Sequence, residues 1–135
     1  MFDSSPRDTF GHVVQRLNDY RLAYAHIMRS LAESPEQRSR EVPIAFFRDL
    51  YQGTLITNGR FDFHEADRFI RDGVADAVAF GTLALANPDL SARFASIAKG
   101  QPTPLNTPNP ATFYTDGPVG YTDYPTLAAA PLRVE

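Results

Sequence analysis

The sequence predicts an α/β protein with parallel strands. Two short strand-like runs, Gly53 to Gly59 (GTLITNG) and Asp76 to Gly81 (DAVAFG), each end in glycine, an amphipathic segment separates them, and helical and strand-length patterns alternate on either side. A parallel pair joined through a helix puts both strand ends on the same rim. There, glycines without side chains let backbone N–H groups approach a phosphate closely. Binding of a phosphorylated cofactor is the chemistry this pattern predicts. Two plainer readings stand beside it: either glycine can simply end its strand, and Asn58-Gly59 alone reads as a hairpin turn.

The elements follow in order. Ser5 is placed to cap a first helix, with Pro6 in its first turn, Asp8 near its positive end, and Phe10, Val13, Val14 and Leu17 at helical spacing. Leu22 to Met28 is an apolar run of strand length and reads as a first strand buried on both faces. Arg29 to Arg40, polar and containing Pro35, reads as a loop. Ile44, Phe47 and Tyr51, with Phe46 and Leu50 beside them, carry the next helical periodicity, and Pro43 fits its first turn. After the second strand, Asp62 and Glu65 form a capping-box-like start to a helix through Ala66, Phe69 and Ile70, which Gly73 can stop in a left-handed conformation. The third strand, Asp76 to Phe80, leads through Gly81 into a helical stretch with Leu90, Phe94 and Ile97 on its apolar face and Asp89 supporting its start. This order predicts parallel strands with right-handed crossovers.

From Gly100 onward the composition changes, because seven of the eleven prolines lie between Pro102 and Pro131 and regular structure is not expected. Phe113, Tyr114, Tyr121 and Tyr124 supply more aromatic surface than a solvated linker carries, so Ala111 to Pro125 is expected to dock. Residues 1–100 are therefore expected to form one domain, with residues 101–135 as a Pro-rich, aromatic tail packing on it.

At 135 residues, 43% hydrophobic and 21% charged, the chain can bury a single core. A net charge of −3 without a basic run offers no electrostatic footprint for nucleic acid. The chain has no cysteine, which excludes disulfides, thiolate metal sites and a cysteine nucleophile and fits a reducing, cytoplasmic setting. No apolar run approaches the roughly 20 residues needed to cross a bilayer, and Met1 to Arg7 lacks signal-peptide order, so a soluble, unexported protein is expected. His12, His26 and His64 have no spacing that assembles a metal site, and none is assigned. His64-Glu65 lacks the second histidine of a zinc-protease helix.

Five segments together resemble the carboxyl-terminal part of the Old Yellow Enzyme family: Leu55-Ile56-Thr57-Asn58-Gly59, Val78-Ala79-Phe80-Gly81, Leu85 to Leu90 (LANPDL), Ala111-Thr112-Phe113-Tyr114, and Gly120 to Pro125 (GYTDYP). Their order and spacing match, and the resemblance extends upstream through Leu22-Ala23-Tyr24-Ala25-His26. It implies a partial TIM (β/α)8 barrel containing the last three parallel strands and helices, followed by an irregular tail. A complete barrel takes ~250 residues, and this chain offers roughly half. The family consists of FMN-dependent oxidoreductases, many of which reduce activated alkenes with NAD(P)H.

The resemblance maps the FMN phosphate site onto Gly59, Arg60, Gly81 and Thr82, glycines that strand geometry singles out as well. The chain departs from the family pattern at Thr82, where an arginine usually follows the second glycine. That change removes a bidentate cation, and Arg60 is the candidate substitute charge. Tyr114 matches the tail aromatic that helps to shape the substrate pocket. The groups that bind the substrate's activating oxygen and the proton-donating tyrosine map upstream, so no catalytic residue is assigned in this chain. An ene-reductase segment contributing a phosphate site and a pocket wall is the leading expectation. A noncatalytic remnant that acts through another protein, or through self-association at open barrel edges, is the alternative.

Overall fold

A computed structural model of the chain describes residues 3–31 and 41–128. Most of the expected loop from Arg29 to Arg40 and the last residues of the tail lie outside the described residues. The described chain contains helices α1 (Pro6–Arg16), α2 (Ile44–Leu50), α3 (Phe63–Arg71), α4 (Thr82–Ala86) and α5 (Leu90–Ala98) and strands β1 (Ala25–Met28), β2 (Leu55–Asn58) and β3 (Ala77–Val78). It divides into two compact units, residues 1–79 and 80–135.

The first unit is built on a parallel sheet in the order β1-β2-β3, with Ala25 opposite Leu55 and Ile56 opposite Ala77. The amides of Asp76 and Ala79 also bond to the carbonyls of Leu55 and Thr57, continuing the ladder beyond β3 at both ends. Central placement explains why β2 buries Leu55 and Thr57 completely. The Thr57 hydroxyl is satisfied by donating to the Ile27 carbonyl at 2.8 Å, so burying it leaves no donor unpaired.

The core gathers Val14, Ala25, Ile44, Phe47, Tyr51 and Leu55. Ile44, Phe47 and Tyr51 behave as their spacing predicts. On α1 only part of the expected stripe is buried: Val14 faces the core, while Phe10 and Val13 are half exposed. Gly11 accounts for the rotation. It lets the Phe46 ring approach so closely that an added Cβ would lie 3.1 Å from Phe46 Cζ, and the buried face runs through Gly11 and Val14. Arg7 caps the same ring with its guanidinium 4.2 Å from the centroid.

The expectation of a first strand buried on both faces is corrected. The strand is four residues long, with Ala25 buried, Ile27 partly buried, and His26 and Met28 exposed. Among the described residues β1 pairs only with β2, so it is an edge strand and half of its surface is uncovered.

Around α3 the Asp62 cap and the Gly73 stop are realised, whereas the Glu65 side chain pairs with Arg29 and does not complete the capping box. Asp62 accepts from the Glu65 amide at 2.8 Å. At the other end Gly73 has φ +69°, and the bonds Gly73 N–H to Ile70 and Val74 N–H to Phe69 close a Schellman motif.

In the second unit the expected single helical stretch after Gly81 is two helices. Pro88 disfavours helical dihedrals at the preceding residue, and Asn87 sits at φ −129°, ψ 87° between α4 and α5. The described part of the tail, residues 101–128, is irregular beyond a short 3-10 turn at Pro110–Thr112, and the side chains of Arg93 and Asn106 bond to its backbone.

Candidate anion cradle at the strand ends

Both ends of β2 are braced by arginine. At its amino end Arg48 pairs with Asp76 (3.0 Å) and donates to the carbonyls of Tyr51 and Gly53, while Asp76 accepts from the Leu55 amide at 2.7 Å. At its carboxyl end the loop Gly59-Arg60-Phe61 is gripped by Arg29, the residue that follows β1.

Arg29 uses its whole guanidinium there. Nε donates to the Gly59 carbonyl, one terminal nitrogen donates to the Arg60 carbonyl at 2.9 Å, and the other pairs with Glu65 at 2.6 Å. The group also stacks 3.9 Å from the centroid of the buried Phe61 ring. Gly59 is buried with φ +126°, and a Cβ there would lie 2.6 Å from Arg29 Cγ. The glycine that sequence geometry reserves for a ligand thus admits Arg29 on its side-chain face. Arg60 is exposed and takes φ +53°, a left-handed conformation that a non-glycine residue seldom adopts.

These bonds fix the direction of the neighbouring amides. All peptide bonds described are trans. In a trans peptide the carbonyl of one residue and the N–H of the next point oppositely. With the Gly59 and Arg60 carbonyls turned to Arg29, the N–H groups of Arg60 and Phe61 face the other way. Two successive N–H groups on one side of a turn form a concavity of the kind that binds anions.

Asn58, the last residue of β2, presents a further feature. Among the described residues its Oδ1 is buried and accepts no hydrogen bond. A buried acceptor without a donor is costly unless a ligand or water supplies one.

Gly81 and Thr82 lie in the second unit, where Gly81 precedes α4 and both residues are exposed. Gly81 differs from Gly59: its φ is −92°, and a Cβ there would meet nothing within 4 Å. Tyr114, also in the second unit, is 98% exposed. The structure therefore brings Gly59 and Arg60 together around Arg29, while Gly81, Thr82 and Tyr114 belong to the other unit.

That unit has a polar centre which sequence reasoning missed. Arg93 is 1% exposed and is bonded to Asp89 (2.6 Å) and to the carbonyls of Pro104 (2.7 Å) and Pro125 (2.9 Å). Asp89 also accepts from the Leu127 amide at 2.8 Å. Burial acts to raise the Asp89 carboxyl, but the Leu127 and Arg93 hydrogen bonds outweigh it and hold the group below its ordinary value. Asn87 and Asn106 complete the clasp, with Asn87 accepting from the Asn106 amide (2.7 Å) and Asn106 donating to the carbonyls of Ala86 and Pro125. The i, i+4 spacing of Asp89 and Arg93 was the available signal. For Arg29 there was none, since its partners lie thirty or more residues away.

Among the described residues no group of histidines, cysteines and carboxylates could hold a metal ion, and no helix is long and apolar enough to cross a membrane.

The architecture defines an α/β chain with a parallel sheet whose strand ends carry glycine-containing loops. No family model matches it. Individual proteins do. It is 42% identical over 125 residues to a Leishmania infantum protein named "Probable flavin mononucleotide-dependent alkene reductase", covering 93% of this chain and 32% of that one. It is 41% identical over 129 residues to 12-oxophytodienoate reductase 1 of Oryza sativa subsp. japonica, covering 93% and 33%. The solved old yellow enzyme of Trypanosoma cruzi superposes with a TM-score of 0.79 at 40% identity over 94% of this chain and 32% of that one. The chain belongs to the Old Yellow Enzyme family, and it spans about a third of the length of these relatives.

Proposed function

We infer that the chain is the carboxyl-terminal segment of an FMN-dependent ene-reductase, forming the last three strands of a TIM barrel, and that its share of the work is to hold the FMN phosphate and supply one wall of the substrate pocket. The observation that carries this reading is the Gly59-Arg60-Phe61 loop, with two amides turned to one side, in a chain 42% identical to a protein named as an FMN-dependent alkene reductase.

The residues present suit the group. Backbone N–H groups around Gly59 and Arg60 match phosphate oxygens. The buried Asn58 Oδ1 is an acceptor of the kind a polyol hydroxyl satisfies. On the family resemblance Gly81 and Thr82 are further candidate phosphate contacts, and the open space at Gly81 permits close backbone approach. The exposed ring of Tyr114 is assigned to the pocket wall. Bound FMN would supply hydride-transfer chemistry between NAD(P)H and an activated alkene. No acid, base or nucleophile for that chemistry is assigned to this chain.

The test is spectroscopic. Purified chain is expected to retain FMN, or to take it up stoichiometrically, with visible flavin absorption. A colourless protein that fails to bind added FMN refutes the reading.

A second reading, association with another protein, is favoured by one observation. Tyr20, Leu22, Tyr24 and Met28 are all exposed along β1 and the segment leading into it. Such a row beside a strand edge that is unpaired among the described residues invites pairing. Native mass measurement is expected to find species heavier than the 15.0 kDa chain, and a strictly monomeric protein at high concentration counts against this reading.

A further inference from the structure

We propose that Arg29 is the positioning residue of the anion cradle: by holding the carbonyls of Gly59 and Arg60, it aims the amides of Arg60 and Phe61 at the phosphate without touching the phosphate itself. This rests on the phosphate-binding reading above and names the residue that makes the loop competent for it.

Arg29 is the only described group that reaches both carbonyls, through Nε and a terminal nitrogen of one rigid fork. A planar guanidinium fixes two acceptors at once, whereas an ammonium is a point donor that cannot impose the same pair of directions. The loop conformation also has a standing cost. Gly59 and Arg60 take positive φ in succession, and for Arg60 this is intrinsically unfavourable. Without the two bonds to Arg29, the peptides are free to rotate and return their amides to other directions.

The charge of Arg29 is not what the ligand reads. Glu65 pairs with it at 2.6 Å, and Phe61 covers one guanidinium face. Its contribution is therefore orientation. The requirement for glycine at position 59 follows from the same contact, because any Cβ would displace the Arg29 side chain.

The test uses the full chain and two probes, FMN and riboflavin, whose affinity ratio isolates the phosphate. Arg29→Lys keeps the positive charge beside Glu65 but not the fork, and Arg29→Gln removes the charge. Each variant's thermal unfolding is measured alongside binding. For the parent, FMN is expected to bind more tightly than riboflavin. In Arg29→Lys the ratio is expected to fall by about tenfold while riboflavin affinity is retained, the loss of one well-placed hydrogen bond's worth of discrimination. Titration of inorganic phosphate, followed by amide chemical shifts, is expected to move Arg60 and Phe61 in the parent and not in Arg29→Lys.

A parent that favours FMN, together with an Arg29→Lys ratio equal to the parent's, overturns the role of Arg29 and leaves the phosphate site standing. A parent that binds both flavins equally, with no amide response to phosphate, overturns the phosphate site and the role of Arg29 with it. If one variant fails to fold, the FMN-to-riboflavin ratio of the other decides in the same way, and parent shifts confined to residues other than Arg60 and Phe61 overturn the proposal.

Discussion

Replacing Arg93 by methionine removes the centre of the second unit's clasp while keeping much of the side chain's apolar volume. The parent Arg93 is 1% exposed and satisfies three partners: the Asp89 carboxylate and the carbonyls of Pro104 and Pro125. In Arg93→Met the carboxylate keeps the Leu127 amide but loses its cation, and the Pro104 carbonyl loses a buried donor. Breaking a buried ion pair from one side costs about 3–5 kcal/mol, and the 20% exposure of the Asp89 side chain places this pair at the low end, about 3 kcal/mol. Against a typical total of about 5–15 kcal/mol, that is enough to free the tail at ambient temperature. Apolar burial offers little reserve here, since Ala86 and Leu90 are the only buried hydrophobic residues described in this unit. Urea unfolding measures the loss, and hydrogen exchange at the Asn106 and Leu127 amides reports where it occurs, because these amides donate to Asn87 and Asp89. Arg93→Lys is expected to recover part of the loss. A variant within about 1 kcal/mol of the parent, with both amides still protected, would refute the claim that this ion pair organises the tail.

Three further outcomes follow from the same structure. Gly59→Ala is expected to lose about 2 kcal/mol by thermal or urea unfolding, from its positive φ and the Arg29 contact, whereas Gly81→Ala should stay within about 0.5 kcal/mol, so any loss of FMN affinity in the latter reports ligand approach rather than folding. Because the Asp89 carboxyl is held below its ordinary 3.8 in the folded state, its contribution is fully present above that pH and is lost as pH falls through the lowered value. Asp89→Asn should therefore be destabilising at neutral pH, and its deficit in chemical unfolding should narrow below pH 3.8; a pH-independent deficit would contradict the assignment. Leu55→Ala, at a position with no exposure in the central strand, is expected to cost about 3 kcal/mol in unfolding free energy, and a loss under about 1 kcal/mol would show that the core closes around the gap.

Local chemistry made much of this chain legible. Helix starts and stops depend on residues within a turn of one another, so the Asp62 cap, the Gly73 stop and the Ile44-Phe47-Tyr51 face could be read directly. Alternation of helix and strand was sufficient to predict a parallel sheet, since parallel neighbours need a crossover between them. The quoted motifs were sufficient to name the family that the comparisons identify.

Long-range contacts decided the rest. Leu22 to Met28 carries the composition of a strand covered on both sides, yet only pairing partners determine coverage, and β1 has one among the described residues. Likewise, α1 has an apolar stripe that sequence spacing can list but not orient; Gly11 and the Phe46 ring set its rotation. Gly59 was recognisable as special, while the reason emerged only when Arg29, thirty residues earlier, was seen to occupy the space a side chain would need. The sequence by itself determined where elements begin and end, because those choices are made by neighbours along the chain. The tertiary structure alone decided which charges are buried and which carbonyls they hold, because Arg29 and Arg93 acquire their partners only when distant segments meet.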